Sequence, residues 1–373
     1  MRSADPGVTA VVAAIDEANV THHYSDEVEW RIRQGDGRSY RVVADAINAS
    51  SVDLVSVQHE FGLYGTWTGE VYEDHLRPFL ETLRKPVVAT LHTVPPRPSA
   101  SMCDAVRSVA RLSDEVIVMA QTALGLLRTV YGMTETASVI PHGMPAVVIG
   151  PSDRARLKGE HGFAGRTLIC TFGLVDPRKG LEYAIEAMPA ILAGHPEAHY
   201  LIAGQTHPEQ QRKAGERYRD RLIALVDRLG LQGQVSFLNE YLTQRDIVEL
   251  LVATDVYVTP YLDPEQITSG TLAYALGTGK AIVSTSYLHA VEALADGRGV
   301  LVGFRDSGQL AEAVNSILDD PGLKESLEGS AYEYAKDMAW PRAGERWLEM
   351  MRGVVVRYAA APVLAGGNGR SRS

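Results

Sequence analysis

The chain has 373 residues, of which 45% are hydrophobic and 22% charged, with a formal net charge of −10 and two cysteines. That balance excludes disorder as the main state, and the negative charge excludes general nucleic-acid binding. No apolar run approaches the ~18 residues of a membrane-spanning helix, no secretory apolar segment opens the chain, and Cys103 and Cys170 are too few for a disulfide framework or a Cys-based zinc site. The expectation is a cytoplasmic protein of about two domains with reduced core thiols.

In chain order, short apolar runs alternate with longer helical stretches. The first half offers VTAVVAAI (8–15), VDLVSVQ (52–58), PVVATLH (86–92), EVIVMA (115–120) and SVIPHG (138–143). The second offers RTLICTFG (166–173), AHYLIAG (198–204), QVSFL (234–238), DVYVTPY (255–261), KAIVST (280–285) and RGVLVGF (298–304). These runs are apolar nearly throughout, as parallel strands buried on both faces are. Between them, 182–194 reads as a helix closed by Gly194. Residues 216–230 read as another, with Leu222, Leu225, Val226 and Leu229 on one face and Gly230 at its end. The alternation predicts an α/β fold with two doubly wound parallel sheets, whose strand ends would converge on a central cleft. The boundary is expected in 145–165, which lacks a strong periodic pattern. The expected domains are 1–146, 147–335, a closing helix at 336–360 that crosses back to the first domain, and a disordered tail at 361–373.

Three stretches suit an anionic ligand. In 255–285 a strand enters a proline-bounded loop holding Glu265 and Gln266. A helix then starts near Thr268 or Ser269, with Gly270 and Thr271 in its first turn. Such a start offers free N–H groups and partial positive charge, and a glycine lets the ligand approach. In 171–189 a strand ends at Gly173, and Arg178 and Lys179 precede the next helix. In 201–209, Gly204 ends a strand, followed by Thr206 and His207. The alternatives for the first two are an ordinary capped helix and a solvated surface lysine. In the first half, Gln58, His59 and Glu60 stand at one strand end, His92 at another, and His142 near the domain boundary.

The order of these features resembles the family 4 (group 1) retaining glycosyltransferases of GT-B fold, over most of the chain. Gly173, the Lys179-Gly180 pair, Gly204, the strand from Val235 to Leu238, and Gly277-Thr278-Gly279 before Ile282-Val283 follow the family's second domain. The segment 331–351 resembles its closing helices. The match is closer still to a bacterial subgroup with a Gln-x-Thr-Ser-Gly-Thr donor loop, carried here by Gln266 to Thr271. The resemblance implies a metal-independent hexosyl transfer, with retention, from a nucleotide-sugar donor to an unidentified acceptor, and no cofactor. It implies His92, Glu265 and Gln266 as catalytic, and Gln58, His59, Glu60 and His142 on the acceptor side. Donor binding falls to Gly173, Arg178, Lys179, Gly204, Thr206, His207, Thr268, Ser269, Gly270 and Thr271.

The sequence departs from the family in three places. Where the family has two glutamates it has Gln266 and Tyr274, so ribose must be held differently. The phosphate-binding arginine position is Leu174, which leaves Arg178 as a substitute. No Gly-rich loop follows the first strand, so the first domain reads as shortened, through a short natural start or a start placed too late. A sugar-nucleotide epimerase, a phosphorylase or a catalytically silent sugar-nucleotide-binding subunit are the alternatives on the same architecture.

Overall fold

A computed structural model describes residues 4–17, 22–134, 136–145, 147, 150 and 152–361. The expected tail therefore lies, from residue 362 onward, outside the described residues. The chain divides into two compact units, Met1–Pro141 with Pro341–Ser373, and His142–Trp340.

The first unit holds β1 (Val12–Asp16), β2 (Val28–Arg33), β3 (Val55–His59), β4 (Gly65–Thr68), β5 (Val71–Asp74), β6 (Val87–Leu91), β7 (Glu115–Val118) and β8 (Ala137–Val139). A parallel sheet runs β3-β6-β7-β8, β1 pairs parallel with β2, and β4 with β5 forms an antiparallel hairpin. β6 and β7 are buried at every residue, which is why their sequences are apolar without alternation. The Gly37–Ala49 helix is N-capped by Asp36 and buries Tyr40, Val43, Ala44 and Ile47 at helical spacing. From the closing helix, Val354 packs with Val88, Ile117 and Ile140, and Arg357 bridges the buried Glu115 at 3.1 Å.

The second unit holds β9 (Thr167–Phe172), β10 (Ala198–Ala203), β11 (Val235–Leu238), β12 (Val256–Thr259), β13 (Ala281–Thr285) and β14 (Val300–Val302). They form one parallel sheet in the order β11-β10-β9-β12-β13-β14. Alternate side chains of β9 serve opposite layers. Ile169 packs with the Leu181–Gly194 and Arg217–Arg228 helices, while Leu168, Cys170 and Phe172 pack with the Gln244–Ala253 and Gly270–Gly277 helices. The strand order reverses between β9 and β12, the kind of position beyond whose carboxyl ends open α/β sheets bind their ligands.

Several expectations need correction. The apolar runs do not include β2 or the β4–β5 hairpin, and the patternless 145–165 stretch contains the Asp153–Glu160 helix, whose one buried residue is Leu157. Leu229 is exposed, because the helix ends at Arg228 and Leu229 is its C-cap. Cys170 is buried, but Cys103 is only partly so; both are free thiols.

Candidate functional site

At the carboxyl end of β9 the chain turns through Gly173, whose φ is +128°. Asp176 then caps a short turn, Pro177–Lys179, by accepting the Arg178 N–H. Gly180, at φ +60°, starts the Leu181–Gly194 helix, and a Cβ on it would stand 2.3 Å from the Pro260 carbonyl oxygen. The two strand-end loops therefore touch backbone to backbone. A Cβ on Gly173 would likewise stand 3.2 Å from Thr271 Cγ2 and 4.0 Å from Lys179 Nζ. Gly173 and Lys179, expected from one stretch, and Thr271, expected from another, are thus brought together.

Lys179 Nζ lies 3.7 Å above the centroid of the Tyr261 ring. Among the described residues it makes no ion pair. Asp176, the carboxylate whose field reaches it, is already bridged by Arg178 Nε at 2.9 Å. The residue keeps some exposure, yet its ammonium is desolvated enough to pull the pKa down to about 7.

The opposite wall is the start of the Gly270–Gly277 helix. Ser269 is its N-cap, and its Oγ accepts the Leu272 N–H. Thr271 Oγ1 meets the Tyr261 hydroxyl at 2.7 Å and Ser269 Oγ at 3.2 Å. Tyr261 stacks on Tyr287 at 5.4 Å between ring centroids, and both rings are fully buried. Tyr287 keeps its hydroxyl without a geometric hydrogen-bond partner. The backbone N–H of Ser269 is taken by His289 Nδ1 at 2.9 Å. Gln266 turns its side-chain amide back onto the Thr268 carbonyl, and Glu265 stands partly exposed on the same loop. Sequence reasoning missed Tyr261, Tyr287 and His289, although Tyr261 closes one of the predicted strands.

His142 belongs to the second unit, not the first, and faces this helix start. Its Nδ1 bonds the Gly143 carbonyl at 2.7 Å, so Nδ1 carries the proton and Nε2 is a lone pair directed at Gly270. Burial lowers its pKa, against the Gly143 bond that raises it.

Other expected residues are occupied elsewhere. Arg178 is exposed and committed to Asp176, whose carboxyl is held below the usual range by that pairing despite burial. Thr206 is buried and gives its hydroxyl proton to Glu216 at 2.5 Å, beside Arg219, which donates to the Gly204 carbonyl at 2.8 Å. His207 caps the Pro208–Ala214 helix by accepting the Glu209 N–H.

In the first unit, His92 Nε2 donates to Gln58 Oε1 at 3.0 Å, and Thr93 Oγ1 donates to Glu60 Oε2 at 2.6 Å. His59 is fully buried, stacked on Tyr64 at 5.9 Å and edge-on to Phe61, with both ring nitrogens unpartnered. Its ring meets aromatic groups rather than solvent.

Among known proteins, residues 153–336 match the family described as "Glycosyl transferases group 1". The chain is similar to the GDP-mannose-dependent monoacylated alpha-(1-6)-phosphatidylinositol monomannoside mannosyltransferase of Corynebacterium glutamicum, at 26% identity over 66% of this chain and 65% of that protein. It is similar to the D-inositol 3-phosphate glycosyltransferase of Rhodococcus jostii, at 25% over 73% of this chain and 62% of that one. It is also similar to the phosphatidyl-myo-inositol mannosyltransferase of Mycolicibacterium smegmatis, at 27% over 70% and 63%. The chain thus spans a little under two thirds of the length of these relatives. Among solved structures, Anabaena Alr3699/HepE in complex with UDP superposes with a TM-score of 0.70 at 21% identity, covering 87% of this chain and 86% of that one. Sucrose-phosphate synthase from Thermosynechococcus elongatus also gives 0.70, at 16% identity over 95% and 88%. These likenesses give the fold as GT-B, with parallel sheets in two Rossmann-like domains. Among the described residues no helix is long and apolar enough to cross a membrane.

Proposed function

We propose that this chain, whose residues 153–336 match the group 1 glycosyl transferases, is a cytoplasmic retaining glycosyltransferase that moves a hexosyl group from a nucleotide-sugar donor to an acceptor without a metal ion. The observation that carries the reading is the Lys179 ammonium. It is desolvated, without an ion pair, and set beside Gly173 and Thr271 where the sheet reverses its strand order. A diphosphate held there would supply the missing anion. The N–H groups at the start of the Gly270–Gly277 helix and the Ser269 and Thr271 hydroxyls complete a donor set for phosphate oxygens. As the glycosidic bond to the diphosphate breaks, negative charge grows on the leaving group, and preorganised cations and dipoles act most strongly at that point. The absence of an Asp-x-Asp motif from the sequence supports transfer without a bridging metal.

The names of the relatives support inositol-containing acceptors and GDP- or UDP-sugars as first candidates. The Gln266–Thr271 loop supports placement in the bacterial subgroup with that pattern. Retention follows from the family resemblance, with a donor phosphate oxygen receiving the acceptor proton at the same face. Titration calorimetry with UDP and GDP, on the parent and on Lys179→Ala, tests the reading. Binding that weakens strongly in a folded Lys179→Ala supports it, and unchanged binding removes its main support. Incubation with sugar nucleotides and no acceptor separates a transferase, which hydrolyses slowly or not at all, from an epimerase, which converts the sugar.

A further inference from the structure

The loop between β12 and the Gly270–Gly277 helix runs from Pro260 to Ser269 and contains no regular secondary structure. Left to itself, such a segment costs conformational entropy to hold in one geometry. It is pinned from the neighbouring Leu288–Ala293 helix, whose first N–H groups have no intrahelical acceptor. Leu288 N donates to the Pro264 carbonyl at 3.1 Å and His289 N to the Gln266 carbonyl at 3.0 Å. The imidazole of His289 reaches further along the same loop and accepts the Ser269 N–H through Nδ1 at 2.9 Å. One residue thus holds both ends of the Gln266–Ser269 segment, by a donor at one end and an acceptor at the other.

The acceptor role fixes the chemistry of the ring. Nδ1 must be unprotonated, so the single proton of a neutral imidazole sits on Nε2. Burial supports this state by pulling the pKa down to about 4, with Glu292 acting against it and His142 with it. The Ser269 peptide is the N-cap of the helix, so its orientation sets the direction of the Gly270 and Thr271 N–H groups that follow.

We infer that His289 is a positioning residue for the donor site, holding the Ser269 peptide so that the start of the Gly270–Gly277 helix is preorganised for a nucleoside diphosphate. The inference rests on the function proposed above. His289 acts through Ser269 and need not touch the ligand itself.

The test uses UDP and GDP as probes on the full chain, by calorimetry and thermal melting, with three substitutions. In His289→Asn the amide oxygen stands near the former Nδ1 and can accept from Ser269. In His289→Gln it stands near the former Nε2 and cannot; His289→Ala offers no acceptor. Expected are affinities within about threefold of the parent for His289→Asn and losses of about tenfold or more for the other two, the cost of about one hydrogen bond's worth of preorganisation. Melting temperature is read on every variant, so that affinities are compared only among proteins that fold. A His289→Gln protein that binds nucleotide like the parent overturns the inference. A second measurement needs no ligand: nitrogen-15 histidine spectra of the parent should show the neutral Nε2–H tautomer between pH 5.5 and 8, and an Nδ1–H tautomer overturns the inference even if a variant fails to fold. A parent that binds neither UDP nor GDP, with the Nε2–H tautomer present, instead refutes the donor site and leaves His289 a loop clamp only.

Discussion

His142 Nε2 stands 2.9 Å from the point where a Cβ would be built on Gly270. A side chain at 270 therefore meets an imidazole anchored through Nδ1 to Gly143. Gly270→Ala should cost on the order of 1–2 kcal/mol, because His142 is fixed through Nδ1 to Gly143 and cannot swing away freely. Adding His142→Ala to the same chain should return part of the lost melting temperature. If the double variant melts no higher than Gly270→Ala alone, the two residues do not share this contact.

Under the proposed function, the titration of Lys179 sets the pH dependence of nucleotide binding. Burial pulls its pKa down to about 7, and an adjacent diphosphate would raise it, so binding would take up a proton. The charged form is the binding form. Affinity for UDP or GDP should therefore be flat below pH 7 and fall by up to about tenfold per pH unit above it, until the pKa of the complex is reached. Calorimetry in two buffers of different ionisation enthalpy, at pH 8, should report the proton uptake. Lys179→Ala should abolish the uptake and cost about 1.5–3 kcal/mol of binding. Uptake that persists in Lys179→Ala belongs to another group.

Acid should weaken the first unit through His59. Burial lowers its pKa to about 4, whereas the unfolded chain takes up the proton at the ordinary value of 6.5. Below pH 6.5 the unfolded state binds more protons, so stability falls as the pH drops toward 4, by at most on the order of 2–3 kcal/mol. His59→Phe keeps the aromatic contacts with Phe61 and Tyr64 and removes the titration. Its melting temperature should gain on the parent steadily from pH 6.5 to 4.5. A constant gap across that range shows that His59 does not titrate as described.

Gly204 has no room and no alternative backbone. Its φ is +135°, and a Cβ would lie 2.2 Å from the Gly173 carbonyl oxygen. Gly204→Ala should cost about 3 kcal/mol or more and disturb Gly173, which it abuts. Gly329, in the interior of the Pro321–Ala335 helix, is the matching control, because a Cβ there would meet nothing within 4 Å. Gly329→Ala should raise stability by about 0.5–1 kcal/mol. Equal melting shifts of the same sign in the two variants would show that the Gly173 contact does not limit position 204.

The parallel strands were legible because burial on both faces leaves uninterrupted apolar runs, as in VVATL and TLICTF. β2 was harder to read, although Val28, Trp30 and Ile32 alternate with Glu29, Arg31 and Arg33, because a short alternation is a weaker signal than a continuous run. The β4–β5 hairpin carries its turn signal in Gly69, and only Gly65 and Tyr72 of its strands are buried. Among the site residues, Lys179 and the 268–271 helix start could be found from strand ends and capping chemistry. The three aromatic and imidazole groups behind them could not. Tyr261, Tyr287 and His289 act through contacts across strands that no local spacing encodes.

The reversal of strand order has a consequence for synthesis. β9 and β12 lie side by side, with Ile169 against Val256 and Cys170 against Tyr257, although 87 residues separate each pair. Lys179 and Gly173 leave the ribosome long before Tyr261 and Thr271. Until β12 docks on the far side of β9, a chain that has already formed β9, β10 and β11 carries a lysine with no ring beneath it and no helix start opposite it. Closing so long a loop is slow relative to local helix formation. If Lys179 and the Gly270–Gly277 helix start bind nucleotide together, as proposed, that affinity requires β12 to be docked against β9.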